Sequence, residues 1–235
     1  MNPTSGVIGD SWDLYKKHWR HLAPIALIVY VVLGVVAALL AVVFANWLAG
    51  LLSALIGLIG AFWLQGALVK AVADVRDGRA DMSIRDTFAS AWPHVPAVAV
   101  AGILAGLGIA LGLLLLLVPG LVLMTWWVVI IPAIVLENKS AAESFSRSRE
   151  LVRGYGWNVF GVILLTILLL IVASIVIALI LWPLDDWLGE LLSDIISGTV
   201  IAPFIAVTWT LLYFRLRNAK EQAQQPPLPP ATAAA

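Results

Sequence analysis

Residues 23–69 read APIALIVYVVLGVVAALLAVVFANWLAGLLSALIGLIGAFWLQGALV, 47 residues without a charged side chain between Arg20 and Lys70. A helix of about 20 apolar residues crosses a hydrocarbon core, so this stretch is long enough for two crossings. Ala45, Asn46 and Trp47 mark the turn between them. The fold class follows: an all-α, polytopic membrane helix bundle.

The same pattern recurs along the rest of the chain. All fourteen basic residues fall into four short clusters: Lys16, Lys17 and Arg20; Lys70, Arg76, Arg79 and Arg85; Lys139, Arg147, Arg149 and Arg153; and Arg215, Arg217 and Lys220. About 50 residues or more separate each cluster from the next, room for three apolar hairpins. Six spans are expected, at about 23–45, 48–69, 96–118, 121–136, 158–182 and 195–214. Pro119-Gly120 reads as a tight turn between the third and fourth. That turn is so short that a re-entrant hairpin is the open alternative there.

Composition agrees. Hydrophobic residues make up 62% of the chain and charged residues 12%, about half the charged share of a soluble domain. The absence of cysteine excludes disulfides, thiol catalysis and cysteine metal sites. The basic clusters are short and mixed with acids, which argues against nucleic acid as a partner. Asp10, Trp12, Asp13 and Trp19 stand before the first span in place of a short basic region, and no small-residue cleavage site follows. The first span is therefore expected to stay in the mature protein.

Positively charged loops are retained in the cytoplasm. The opposite loops, at 45–47, 119–120 and 181–194, hold no base, and the last carries Asp185, Asp186, Glu190 and Asp194. Both termini are expected to be cytoplasmic in a multi-pass protein of the cell (inner or plasma) membrane. Residues 1–220 form a single integral membrane domain. The tail 221–235, EQAQQPPLPPATAAA, has too little aliphatic content to pack and is expected to be disordered, with PPLPP as a candidate polyproline ligand.

A weak internal repeat accompanies the charges. Segments 10–22, 85–95 and 143–160 are amphipathic and precede the odd-numbered spans, and Trp19, Trp92 and Trp157 align at their junctions. The expected layout is three hairpins, each preceded by a short interfacial helix, with the tryptophans at headgroup level. The third segment is the best defined. Ser140 and Glu143 form a capping box. Ala141, Phe145, Ser148 and Val152 make a narrow apolar stripe, Glu143 and Arg147 are four apart, and Gly154 ends the helix. Arg147, Arg149 and Arg153 are candidate contacts for anionic phospholipid headgroups, at about 1 kcal/mol per base. The simpler reading is that they only anchor the loop.

Ion-coupled transporters and membrane enzymes place ionisable groups inside their spans; here the central portions hold none. Gln65 is the most polar side chain within a span, the candidate for a lumen or an interhelical bond. Pro132 and Pro203 are expected to kink spans four and six. His18, His21 and His94 lack metal-ligand spacing, and the acids from Asp185 to Asp194 read as a solvated face or a divalent-cation loop. No cofactor and no catalytic set is expected.

Residues 119–161, PGLVLMTWWVVIIPAIVLENKSAAESFSRSRELVRGYGWNVFG, carry a motif: a Pro-Gly turn, an aromatic-rich span with a proline and an acidic end, then a helix with a Ser-x-x-Leu-x-x-Gly run before an aromatic residue. The matching positions are Pro119, Gly120, Pro132, Glu137, Ser148, Leu151, Gly154 and Trp157. In this the chain resembles the membrane domain of bacterial glycerophosphoryl diester phosphodiesterases and related stand-alone integral membrane proteins. Ser144 stands where that family tends to have alanine. The resemblance implies a membrane domain without the soluble catalytic barrel, so no enzymatic activity is carried over. Two functions are then expected: a non-enzymatic scaffold, partner subunit or lipid-interacting factor among other membrane proteins, or a small transporter, permease or lipid-translocating protein with a path between spans four and six near Gln65.

Overall fold

A computed structural model describes residues 2–44, 47–76, 78, 81–182 and 186–224. The chain forms helices α1 (Val7–Phe44), α2 (Trp47–Arg76), α3 (Ile84–Ala91), α4 (Val95–Leu115), α5 (Leu117–Trp126), α6 (Ile130–Glu137), α7 (Ala141–Val152), α8 (Gly156–Leu181) and α9 (Asp186–Gln224), with a 3₁₀ turn at Trp92–His94. Among the described residues there is no strand. Six segments are long and apolar enough to cross a membrane: α1, α2, α3 with α4, α5 with α6, α8, and α9 from Leu192. Their outward faces stay apolar, with Val42, Leu114, Leu115 and Trp182 each more than three-quarters exposed. These are features of a multi-pass membrane protein.

Helix α9 is the axis of the bundle, packing along α1 and touching α2, α6, α7 and α8. One core joins Ile25, Ala26 and Val29 of α1 to Leu64, Ala67 and Leu68 of α2 and Val207 of α9. A second joins Val7 to Leu151, Val159, Leu212 and Tyr213. The third sets Val69 of α2 against Val98 of α4 and Ile134 of α6. The start and the middle of α1 thus belong to different cores.

Several boundaries differ from the sequence reading. Pro119-Gly120 is not the turn: Leu116 is extended (φ −153°, ψ 127°), and α5 begins at Leu117. Pro119 then falls in the first turn of α5, where a missing N–H costs no helical bond. The fourth span is two helices broken at 127–129, with Pro132 in the first turn of the second. Pro203, by contrast, lies inside an unbroken α9. The first amphipathic segment is no separate helix either, since α1 runs through Pro24. Proline there forfeits one backbone bond, to the Arg20 carbonyl, and burial of Leu22, Ile25 and Ala26 offsets it. Units two and three do have their own helices, α3 and α7, set off by the 3₁₀ turn and by Gly154 at φ +91°. The acidic segment after α8 is helical from Asp186, and the tail is helical to Gln224; residues 183–185 and 225–235 lie outside the described residues.

The sharp reversal at Leu116 brings α4 and α5 almost into backbone contact. A methyl placed on Gly120 would sit 2.5 Å from the Leu113 backbone nitrogen, and one on Gly112 would sit 2.9 Å from the Gly120 Cα. Backbone on both sides cannot yield, so Gly120→Ala should cost about 1–3 kcal/mol. Gly57→Ala, where a methyl meets nothing within 4 Å, should be neutral or stabilising. Thermal unfolding of both variants in detergent checks this; equal midpoints would contradict the close approach.

Candidate functional site

Ionic residues of α1, α6, α7 and α9 meet at one end of the bundle, and much of their charge is used internally. Glu137 closes α6, where the negative end of the helix dipole opposes a carboxylate. Its side chain is 14% exposed. Arg147 of α7 answers with its Nε 3.0 and 2.9 Å from the two carboxylate oxygens, and the Tyr213 hydroxyl of α9 donates a third bond at 2.7 Å. Arg147 also reaches Glu150 at 3.1 Å. Burial pulls the Arg147 pKa down, but its hydrogen bonds to Glu137 and Glu150 and their charges outweigh that pull and raise it. One acid thus ties three helices. Tyr213 escaped the sequence reading; its position two residues before Arg215, at the charged end of the last span, was the available signal.

Neighbouring bonds reinforce the same end. Arg215 pairs with Asp10 and donates to the Ser5 carbonyl. Lys220 donates to the Arg153 carbonyl at 2.7 Å, and the Arg76 guanidinium stacks 3.7 Å from the centre of the Phe214 ring. His94 and Asn138 share a 2.8 Å hydrogen bond that joins the start of α4 to the end of α6. The chain therefore returns, after α4, α5 and α6, to the level it left.

Helix α7 has the expected capping box: the Ser140 N–H donates to Glu143 at 2.9 Å, and the Glu143 N–H donates to the Ser140 hydroxyl at 3.4 Å. Its buried face is wider than the expected stripe and takes in Ser144, Ser148, Leu151 and Val152. Ser144 points its hydroxyl back to the Ala141 carbonyl at 2.6 Å, which satisfies it inside the helix. Ser148 donates to the Trp126 carbonyl at 2.7 Å, clamping α7 to the end of α5.

The three candidate headgroup arginines part company here. Arg147 is committed to Glu137 and Glu150 and offers little to a lipid. Arg149 lies over the Trp126 ring at 4.2 Å, exposed to the outside. Arg153 is exposed and makes no ion pair among the described residues. Trp126 also lines an apolar groove of about 420 Å³ between α5 and α8, beside Val122, Trp157 and Phe160. Trp157 is 86% exposed.

Gln65 faces a different space. It lines an open cavity of about 560 Å³ between α1, α2 and α9. Spans one, two and six form it, so the expected route between spans four and six is not what Gln65 borders. Asp194 lines the same cavity, while Asp185 and the side chains of Asp186 and Glu190 lie outside the described residues. Among the described residues no group of three His, Asp or Glu side chains is placed to hold a metal ion.

A family model described as a domain of unknown function (DUF7847) matches residues 87–233. The match spans more than half of the chain, which therefore belongs to that family. No curated protein and no solved structure matches it. The matched part contains Glu137, Arg147, Tyr213 and the groove beside Trp126, and leaves out α1 and α2.

Removing Glu137 strands a partly buried guanidinium and the Tyr213 hydroxyl together. Glu137→Ala should lower stability by about 2–3 kcal/mol and Tyr213→Phe by about 1 kcal/mol, measured by thermal unfolding in detergent; the reverse order would show that Glu137 does not hold the junction. A second expectation concerns acid. The Ser140 side-chain and backbone hydrogen bonds hold the Glu143 carboxyl below its ordinary pKa. A depressed folded pKa adds stability above the unfolded pKa, and that stability is lost as pH falls through the folded value. Amide exchange in α7, relative to its intrinsic rate, should quicken below about pH 4, and Glu143→Gln should abolish the dependence. Acid-insensitive protection in the unmodified protein would rule out a titrating cap.

Proposed function

We propose that this chain is a non-enzymatic, six-span protein of a bacterial cell membrane, with both termini cytoplasmic, that binds anionic phospholipid and through it organises lipid or membrane partners. In this reading α3, α7 and the first half of α1 lie at the cytoplasmic interface, each leading into a hairpin of two spans.

The observation that carries the proposal is the junction of Arg149, Trp126 and the groove between α5 and α8. The Arg149 guanidinium lies over the Trp126 indole, and that indole lines an apolar groove of about 420 Å³. Charge at the top and hydrocarbon walls below match a phospholipid with its phosphate on Arg149 and Arg153 and one chain against Val122 and Phe160. Each buried methylene contributes about 0.8 kcal/mol and each base near the surface about 1 kcal/mol.

A second reading, transport of a small solute or lipid, draws on the separate cavity beside Gln65, since carriers bind their substrates in cavities between spans. Its path would run among spans one, two and six.

Purification in mild detergent from native membranes, followed by quantitation of bound lipid, tests the first reading. Phosphatidylglycerol or cardiolipin should be enriched over the bulk membrane, and Arg149→Gln with Arg153→Gln should reduce that enrichment several-fold; lipid in bulk proportion in both samples would overturn it. Reporter fusions at 80, 119 and 188 test the topology: the first should report cytoplasmic and the other two external. A cytoplasmic signal at 188 would overturn the six-span arrangement.

A further inference from the structure

The cavity between α1, α2 and α9 is not lined as a packing defect would be. Five polar side chains converge on it from three helices: Tyr30, Ser53, Gln65, Asp194 and Ser197. None of the five makes a side-chain hydrogen bond to another described residue, whereas Thr125, Thr166 and Thr208 each bond a carbonyl four residues back; Thr199 and Thr210 of α9 also lack a partner but do not line the cavity. Hydroxyls in membrane helices ordinarily find such partners, because an unmet polar group in hydrocarbon costs several kcal/mol. Polar groups left open towards one shared space are placed for something that enters it.

The geometry also fixes the charge that the occupant must carry. Among the described residues, Asp194 is the single ionisable side chain on the cavity wall apart from the Tyr30 phenol, and no base lines it. Four residues on, Gly198 faces the Tyr30 ring so closely that any added methyl would run into it. Asp194 and Gly198 are one turn apart on the same face of α9, so the aromatic ring lies next to the carboxylate. A carboxylate beside a half-buried aromatic ring that lines the same space, with apolar walls from Leu33, Ile201 and Ile205, suits an organic cation: charge attraction and ring quadrupole on one side, hydrocarbon on the other. The volume, about 560 Å³, falls within the range of small-molecule pockets. Asp194 lies 21 residues before Arg215, about 30 Å along the helix from the charged end, so its mouth is at the opposite, external side.

We propose that this cavity is a binding site for a small organic ammonium ion entering from the external face, with Asp194 as its counter-ion, Tyr30 as its aromatic wall and Gln65 as the hydrogen-bonding group at its inner end. Occupancy is independent of the lipid junction on α5 and α8, and it requires no passage across the membrane. The ammonium belongs either to a free amine or to an aminophospholipid headgroup; both present the same group to Asp194.

The test is titration of the full-length protein in nanodiscs of phosphatidylglycerol with choline and with ethanolamine, against the neutral isostere 3,3-dimethylbutanol. Saturable binding of at least one cation and none of the isostere is expected. Asp194→Asn should weaken it tenfold or more, and Asp194→Glu should retain most of it. Because Asp194 is exposed, the Asn variant should unfold at the same temperature as the parent, which separates lost binding from lost fold. Equal binding of the isostere, no saturable cation binding, or binding unchanged by Asp194→Asn would overturn the site. Repeating the titration in phosphatidylethanolamine nanodiscs distinguishes the sources: competition identifies the lipid headgroup, and unchanged affinity identifies a free amine.

Discussion

A carboxylate at the C-terminal end of a helix works against the field of that helix, and Glu137 is such a group. The short α6 cannot end there without a cation close by. Arg147 supplies it from α7, Tyr213 adds a donor from α9, and the three helices become one unit. Everything else at the charged end is attached to this unit. Helix α7 holds the 127–129 break through Ser148 and through Phe145, whose ring meets Trp127 edge-on at 4.9 Å. Helix α9 holds the N-terminus through Arg215. The bundle is thus fixed at one end by polar geometry and elsewhere by apolar packing.

The spans were legible because lipid imposes a long uninterrupted apolar signal, and six such segments recur in the structure. Turn positions were not. Pro119-Gly120 carries the usual signature of a turn, yet a proline in the first turn of a helix costs nothing, and the reversal moved to Leu116 where two glycines let the backbones meet. Pro24 and Pro203 show the same ambiguity in reverse, since both sit inside continuous helices. A proline in a membrane sequence tells where a backbone bond is missing, not whether the helix stops.

The site was legible in part. The capping box at Ser140 could be read directly, because it is local. Arg147, Arg149 and Arg153 read alike as a basic cluster, but the fold gives them three different surroundings, and only partners distant in sequence decide which is free. Glu137 lies 76 residues from Tyr213, and no spacing rule connects them. Gln65 was visible as an oddity within a span. Its cavity became visible only when α1 and α9 came to border it and brought Asp194 to the same wall.

The bond between Arg215 and Asp10 spans 205 residues of chain. During synthesis at about 5–20 residues per second, the N-terminal half of α1 has no partner on α9 for roughly 10–40 s after it emerges. The segment that ends packed along α9 therefore spends that interval without the contacts that finally hold it. Lateral insertion of the final span, not of the first, completes the assembly.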